Sequence, residues 1–222
     1  MNPEIPPSKI AAFFDFDETL LAIDSAKIGF KVLREQGYLS NYFMIKMMIV
    51  LFFKKRGFID DQRMAKVLLS FYRGRELKIF TDSAAEFYQE YLQPNLAPAV
   101  VEKLKWHHSQ GHITVLLTGS IDYYLHPVME DLGIDHLLCT HLEVDSDGLL
   151  TGRSEGLVCV GDVKVTFAQD LAKDLGVDMA QSFAYGNSEL DIPILSQVGH
   201  PVIVNPSSAL ARHAQKNGWP SL

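Results

Sequence analysis

The chain has 222 residues, a formal net charge of −7, and 47% hydrophobic and 21% charged residues, values typical of a folded globular protein with one domain or one domain carrying an insertion. The acidic balance argues against a general nucleic-acid-binding protein, because a phosphate backbone requires a basic surface. Two cysteines are too few for a disulfide framework, so we expect a cytoplasmic protein in a reducing compartment.

The N-terminal residues contain prolines and acidic residues in place of an apolar core, which predicts no secretion signal. Residues Ile10–Phe16 then form a compact apolar run that predicts a buried strand. Apolar residues recur at helical spacing in the segments that follow, which are Ser25–Gln36, Asn41–Lys55, Asp60–Phe71 and Arg75–Tyr91. Four helical segments are too many for one crossover between strands, so they indicate an inserted helical cap.

The segment Tyr42–Lys55, "YFMIKMMIVLFFKK", is apolar apart from Lys46 and its basic end. Its uninterrupted apolar part, Met47–Phe53, is far shorter than the roughly 20 residues that span a bilayer. We interpret it as a buried or partly buried helix. A helix that rests on a membrane surface or contacts an apolar substrate is the alternative.

Strands and helices alternate after the linker at Pro94, and Pro98 opens a helix that ends before Gly111. "HITVLLTGS", "SFAYGNS" and "PVIVNP" predict strands, and Asp147-Gly148 marks a turn between two further short ones. This alternation predicts a parallel sheet with helices on both faces. In such sheets the active site lies beyond the carboxyl ends of the strands, where "DFDET", "TGS" and "GNSELD" would converge.

Asp15 and Asp17 occupy alternate positions just after a predicted strand, so their side chains point to the same side and share one pocket. Two carboxylates at that distance repel each other unless a cation lies between them or one takes a proton. A metal that prefers oxygen ligands, such as Mg2+, fits this arrangement. The histidines in "WHHSQGH" near a predicted helix end are interpreted as complementing the helix dipole rather than binding zinc.

Four motifs, "DFDETLL", "LLTGS", the lysine of "GDVKV" and "YGNSELDIPIL", resemble those of the haloacid dehalogenase (HAD) superfamily, in the order of the phosphoserine-phosphatase-like subfamily IB. The resemblance covers about residues 10–22 and 96–220. It implies an α/β fold, a Rossmann-like parallel sheet with an inserted helical C1-type cap. Residues 1–21 and 95–222 would form the core, and residues 22–94 the cap.

The resemblance also implies the roles of individual residues in a phosphatase. Asp15 would be the nucleophile that forms an aspartyl-phosphate, and Asp17 would be the general acid and base. The dehalogenases lack an acid at the second position, so Asp17 specifies the reaction type. Thr118 and Lys164 would stabilise the phosphoryl group. Substrate contacts would come from backbone N–H groups and side chains near the pocket, at Asp17, Glu18, Gly119 and Ser120.

The metal site implied by the resemblance consists of Asp15, the backbone carbonyl of Asp17, Asn187 and Asp191. Asn187 departs from the family pattern, which has an aspartate there, so the site loses one negative charge. Glu18 occupies a variable position and is interpreted as a solvated side chain. Thr19 is expected to fix the turn by bonding nearby backbone.

Substrate choice would depend on the cap. Phosphoserine phosphatases bind the amino group through a cap-side glutamate, near whose place Asp24 stands, and the carboxylate through an arginine. No arginine has the expected spacing, and Arg63, Arg73 and Arg75 are the candidates. The sequence therefore predicts a small phosphorylated substrate, with phosphoserine, a lipid phosphate and histidinol phosphate all open. A non-catalytic phospholigand-binding protein is the alternative from another functional class.

Overall fold

The central feature of the fold is a parallel sheet. A computed structural model describes residues 8–222, so the prediction about a secretion signal rests partly on residues outside the described part. The strands are β1 (Ala11–Phe14), β2 (Ile113–Ile121), β3 (His136–Thr140), β4 (Leu142–Val144), β5 (Leu150–Ser154), β6 (Phe183–Gly186) and β7 (His200–Ile203). Five of them form a parallel sheet in the order β3-β2-β1-β6-β7, and β4 and β5 form an antiparallel pair. The predicted Rossmann-like α/β fold is confirmed.

The helices follow the predicted positions, with one difference. They are α1 (Ser25–Glu35), α2 (Asn41–Lys55), α3 (Asp61–Leu69), α4 (Leu77–Asp82), α5 (Ala84–Phe87), α6 (Pro98–Ser109), α7 (His126–Leu132), α8 (Asp162–Leu175), α9 (Ile192–Leu195) and α10 (Ser208–Asn217). The segment predicted as one helix over Arg75–Tyr91 is instead divided at Ser83 into α4 and α5, and α5 continues into a π-helical turn. The Ser83 hydroxyl donates to the carbonyls of Ile79 and Phe80, a local bond that competes with regular helix.

Apolar packing on both faces of the sheet holds β1 at its centre. Phe13 and Phe14 are both almost fully buried, and because successive side chains of a strand point to opposite faces, they join different clusters. Phe14 packs with Leu104 of α6, whereas Phe13 packs with Ala168 of α8 and Leu210 of α10. The end of β1, where the acidic residues begin, is thereby fixed in position.

Helices α1 to α5 lie between β1 and α6 in the chain. Helices α1 to α4 pack against the β4–β5 pair through a third apolar cluster, which includes Leu69, Phe80 and Leu150, and α5 joins the first cluster. We call residues 22–94 the helical insertion. Gly152 of β5 has a φ of +77° and lies so close to Arg73 that a Cβ atom there would be 2.9 Å from the Arg73 Cβ. The β4–β5 hairpin is therefore packed directly against the backbone of the helical insertion.

Helix α2 is only partly buried. Met47 faces the protein, whereas Tyr42 is 78% exposed and Met48 62% exposed. Among residues 8–222, no helix has both the length and the apolar character that crossing a bilayer requires. The interpretation of a partly buried helix agrees with this placement, and α2 presents apolar side chains to the surroundings.

The cysteines and histidines contribute to the core. Cys139 and Cys159 are free buried thiols. His107 points into the protein rather than to the helix end, because its ring nitrogens lie 2.8 Å from His112 Nδ1 and 2.9 Å from the Tyr185 hydroxyl. Burial lowers the pKa of His107 to about 4, so the ring is neutral at pH 7.

Candidate active site

The predicted site residues come together at the carboxyl edge of the sheet. Asp15 follows β1 directly, and its N–H donates to the carbonyl of Tyr185 in β6 at 2.9 Å. Thr118 lies in β2 beside β1, and Asn187 follows β6 on the other side. The three strands end at the same edge because they run parallel. The structure therefore brings residues that are far apart in sequence to one location.

Lys164 connects two of the acidic residues. It lies in the first turn of α8, and its Nζ atom is 2.6 Å from Asp15 Oδ1 and 2.6 Å from Asp191 Oδ1. The side chains of Lys164, Asp15 and Asp191 are 4%, 11% and 2% exposed. The three groups thus form a nearly dry cluster in which one cation serves two carboxylates.

The electrostatics of this cluster are dominated by burial. Although burial lowers the pKa of Lys164, the carboxylates of Asp15 and Asp191 outweigh it and raise the pKa above its usual range. Burial also raises the pKa of Asp15 to about 7, even though Lys164 acts in the opposite direction. The single ammonium group of Lys164 therefore does not fully neutralise the two carboxylates, and a further positive charge would stabilise their ionised forms.

Asp17 lies in the same pocket with its own set of hydrogen bonds. The backbone N–H of Ser25 donates to Oδ1 at 2.5 Å, and the hydroxyl of Ser120 donates to Oδ2 at 2.5 Å. Burial raises the pKa of the Asp17 carboxyl, against the opposing effect of these bonds. A carboxyl group with a raised pKa and a fixed position is suited to hold and release a proton.

Asp191 is positioned by the turn that follows β6. Its Oδ2 accepts hydrogen bonds from the backbone N–H groups of Asn187 and Ser188, at 3.2 and 3.0 Å, and from the Ser188 hydroxyl at 3.1 Å. Gly186 permits this close packing, because a Cβ atom there would be 2.6 Å from the Asp191 Cβ. Oδ1 is left to face Lys164.

The segment at the end of β2 lies opposite these acids. The hydroxyl of Thr118 accepts from the N–H of Ser120 at 3.1 Å and keeps its own proton for another acceptor. Gly119 lies against Val160, where a Cβ atom would be 2.7 Å from Cγ1. Ser120 donates its hydroxyl to Asp17, and its predicted contact with substrate stays a prediction.

Thr19 and Glu18 make contacts that differ from their interpretation, whereas the predicted substrate contact of Asp24 stays a prediction. Thr19 donates its hydroxyl to Asp15 Oδ2 at 3.2 Å, and the bond goes to a side chain rather than to the backbone. Glu18 has a φ of +56° and accepts from Asn187 Nδ2 at 3.2 Å, although its side chain is half exposed. Its N–H donates to Ile23 and not into the pocket. Asp24 forms the N-cap of α1 and an ion pair with Lys27 at 3.1 Å.

Ser25 was missed by the sequence analysis. Its N–H holds Asp17, and its hydroxyl lies 3.1 Å from that of Tyr124. Ser25 opens the first helix of the insertion directly after the capping residue Asp24, which is the one signal that could have drawn attention to it. The acid of the core is therefore positioned partly by the helical insertion.

The oxygen donors of the pocket fit a hard divalent cation. Asp15 and Asp191 lie close enough to share the charge of Lys164, and their environment accommodates more positive charge. Asn187 turns its amide nitrogen toward Glu18, which leaves its amide oxygen available to coordinate a cation. Across residues 8–222, no three His, Cys, Asp or Glu side chains are grouped for a metal. A cation would therefore also need the Asn187 amide and backbone or water oxygens.

A cavity of about 360 Å³ opens from this cluster toward the helical insertion. Asp15, Asp17, Thr118 and Lys164 line one end of it, together with Asp24, Gly119, Ser120, Asn187 and Asp191. Arg63, Arg73 and Arg75 do not line it. Arg63 pairs with Asp60 and is 72% exposed, and Arg75 lies over the ring of Phe71. The described residues of α2 do not line it either.

A parallel α/β sheet with carboxylates, a buried lysine and a hydroxyl at its carboxyl edge defines the class of Rossmann-like hydrolases. The chain belongs to the haloacid dehalogenase-like hydrolase family, whose model matches residues 12–196. The predicted superfamily is confirmed.

Individual relatives cover almost the whole chain. The inhibition of morphological differentiation protein of Streptomyces azureus is 30% identical over 100% of this chain and 80% of its own. A histidinol-phosphatase of Neisseria meningitidis serogroup C is 27% identical over 96% of this chain and 98% of its own. A protein of unknown function from Bordetella pertussis Tohama I superposes with a TM-score of 0.87, at 26% identity over 97% of this chain and 99% of its own. Phosphoserine phosphatases occur among further relatives and structures, and the predicted enzyme class, a phosphoric monoester hydrolase, is confirmed.

Proposed function

We propose that this protein hydrolyses a phosphomonoester with the help of Mg2+ through an aspartyl-phosphate on Asp15. The observation that carries the proposal is the buried contact of Asp15 with Lys164 at 2.6 Å, beside an Asp17 held by two hydrogen bonds of 2.5 Å. A nucleophile, a positive charge and a proton donor are thereby close together in one pocket.

In the first step an oxygen of Asp15 attacks phosphorus, and the bond between phosphorus and the ester oxygen breaks. Asp17 transfers its proton to that oxygen, so the product leaves as a neutral alcohol. The raised pKa of Asp17 favours the protonated form that this step requires. Lys164 and the Thr118 hydroxyl offset the charge that develops on the phosphoryl oxygens.

In the second step a water molecule attacks the phosphorus of the aspartyl-phosphate. Asp17, now a carboxylate, takes a proton from the water, and the bond between phosphorus and Asp15 breaks. Inorganic phosphate is released, and Asp15 returns to its starting form. Ser25 and Ser120 keep Asp17 in one position for both proton transfers.

Mg2+ would be held by Asp15, Asp191, the Asn187 amide oxygen and the backbone carbonyl of Asp17, and when bound it supplies positive charge beside the phosphoryl group. Since Asn187 is neutral, this set carries one negative charge fewer than a set with aspartate there. We therefore propose that the metal requirement is met at a higher Mg2+ concentration than with an aspartate.

We propose a small phosphorylated substrate that enters between the core and the helical insertion, with residues 22–94 acting as a cap and the enzyme working in the cytoplasm. Phosphoserine and histidinol phosphate are both candidates, since relatives carry both names. Asp24 lines the cavity, and we propose it as the partner of an amino group on the substrate.

The test of the proposal is turnover of p-nitrophenyl phosphate with Mg2+ by the wild type and by Asp15→Asn. We expect the variant to lose at least about 10³-fold in kcat, because no nucleophile replaces the carboxylate. Removal of Mg2+ with a chelator should abolish wild-type turnover, and added Mg2+ should restore it. Equal rates for the two proteins would contradict the proposal and favour a non-catalytic protein that binds phosphorylated ligands.

A further inference from the structure

The part of the cavity that lies away from the acids has an apolar wall. Helices α1 and α3 supply most of it, and the remainder comes from Tyr72, the end of β2 with the turn after it, the end of α5 and the loop before α8. Six of the side chains that form it are Phe30, Leu33, Met64, Leu68, Phe87 and Val160. Whatever organic group a phosphate ester carries must lie against this wall when its phosphoryl group is at Asp15.

The polar groups on the same wall already have partners within the protein. The hydroxyls of Tyr72 and Tyr123 lie 3.2 Å apart, and the hydroxyls of Ser25 and Tyr124 lie 3.1 Å apart. Each pair uses one of its two O–H groups internally, so these pairs offer a substrate at most neutral O–H donors.

The two acids of the wall are paired as well. Asp24 is paired with Lys27, and Asp61 with Lys54, and neither lysine lines the cavity. These acids add negative charge to the wall. Their two lysines are paired with them and lie outside the cavity, so neither lysine can bind an anion there. A carboxylate on the substrate would meet them as like charges.

Among the described residues that line the cavity, Lys164 is the one lysine or arginine, and it is engaged by Asp15 and Asp191. The amino terminus of α1 offers at most the N–H of Ala26, because the N–H of Ser25 donates to Asp17 and the N–H of Lys27 to Asp24. A carboxylate placed here would lose its hydration without gaining a positive partner, which is costly.

Resting on the proposed function, we infer that the enzyme selects phosphomonoesters whose organic part carries no carboxylate and packs against the apolar wall formed by α1 and α3, which determines this specificity. Phosphoserine therefore falls outside the preferred substrate class, because its carboxylate meets no positive group on this wall. Esters of aliphatic or aromatic alcohols fall inside it.

The test compares n-hexyl phosphate with 5-carboxypentyl phosphate, which have the same chain length and similar leaving groups but differ in a terminal carboxylate. We expect kcat/KM to be at least about tenfold higher for n-hexyl phosphate, because a buried charge without a partner is rejected strongly. Equal values, or a preference for 5-carboxypentyl phosphate, would overturn the inference.

A gain-of-charge variant tests the assignment to the wall. Met64→Arg places a cation on α3 inside the cavity and should reduce the ratio of the two kcat/KM values several-fold. Met48→Arg is the matched control, since Met48 is 62% exposed on α2 and outside the cavity, and it should leave the ratio unchanged. An unchanged ratio in a folded Met64→Arg protein would contradict the role of the wall. If this variant does not fold, the comparison of the two esters with the wild-type enzyme still tests the inference.

p-Nitrophenyl phosphate serves as the reference substrate throughout. Turnover of the reference together with indifference to the carboxylate would refute the inference and leave the proposed function intact. Failure to turn over the reference and both alkyl esters with Mg2+ would refute the proposed function and the inference that rests on it.

Discussion

The carboxyl edge of the sheet and the helical insertion differ in how their charged side chains are buried and paired. At the sheet edge, Asp15, Lys164 and Asp191 are almost fully buried and bonded to each other. In the insertion, the acids Asp24 and Asp61 are partly exposed and paired with lysines outside the cavity. The first region concentrates fixed charges where a phosphoryl group would react, and the second presents an apolar wall to the remainder of the substrate.

We therefore assign the reaction to the sheet edge and the selection of substrate to the helical insertion. Strands β1, β2 and β6 fix the reacting groups because both faces of the sheet are packed. The insertion contributes mainly surface, and a single backbone N–H, that of Ser25, connects it to the acid Asp17. Variants at the sheet edge should therefore change kcat, whereas variants of the wall should change KM.

The largest combined loss of turnover and stability is expected from Lys164→Met. It removes the shared cation, so kcat should fall by roughly 10²–10³-fold, and the free energy of unfolding should fall by about 3–5 kcal/mol at pH 7. Lys164 lowers the pKa of Asp15, so without the lysine this pKa rises further, and the variant should be relatively more stable in acid and lose stability as the pH rises. Kinetics and denaturant unfolding between pH 4 and 8 measure both.

The control for this variant lies on the same helix. Lys173 is exposed in the last turn of α8, and Lys173→Met should change the free energy of unfolding by less than about 0.5 kcal/mol. A Lys164→Met protein that is as stable and active as this control would show that the buried contacts do not matter.

A smaller and more selective effect is expected from Asp17→Asn. Turnover of an alkyl phosphate, whose alcohol is a poor leaving group, should fall by roughly 10²–10⁴-fold, and turnover of p-nitrophenyl phosphate by less. The wild-type rate on the alkyl ester should fall as the pH rises through the raised pKa of Asp17, and the variant should lack this dependence. A uniform loss for both esters would argue against Asp17 as the acid.

The smallest effect is expected in the wall. Phe30→Ala should raise KM for n-hexyl phosphate by about tenfold and leave kcat within about twofold, because apolar contact is lost without disturbing the acids. Phe58→Ala is the matched control, since Phe58 is 68% exposed and outside the cavity. A fall in kcat with an unchanged KM would place Phe30 with the chemistry instead of the wall.

The sequence predicted the core more fully than the insertion. The buried run before Asp15 and the regular alternation of strands and helices define the sheet, because each pattern is local in the sequence. The positions of Lys164 and Asn187 near Asp15 followed from the order of four motifs, together with the rule that parallel strands end at one edge. Both inferences needed no knowledge of side-chain contacts.

The contacts that cross from one element to another could not be predicted. Nothing in the sequence signals that Ser25 bonds Asp17, or that Thr19 bonds Asp15 rather than the backbone. The arginine candidates were named although none has the expected spacing, and the structure turns Arg75 onto Phe71 and leaves Arg63 at the surface. Side chains of the insertion have several partners within reach, and only the packed structure selects among them.

The most direct test of the central claim is mass spectrometry of the enzyme after acid quenching during turnover of p-nitrophenyl phosphate with Mg2+. We predict a peptide that contains Asp15 and has gained the mass of one phosphoryl group, and no such peptide from Asp15→Asn. Phosphoryl transfer to another residue, or turnover by the wild type with no phosphorylated peptide in a trapping experiment shown to retain acyl phosphates, would contradict the account.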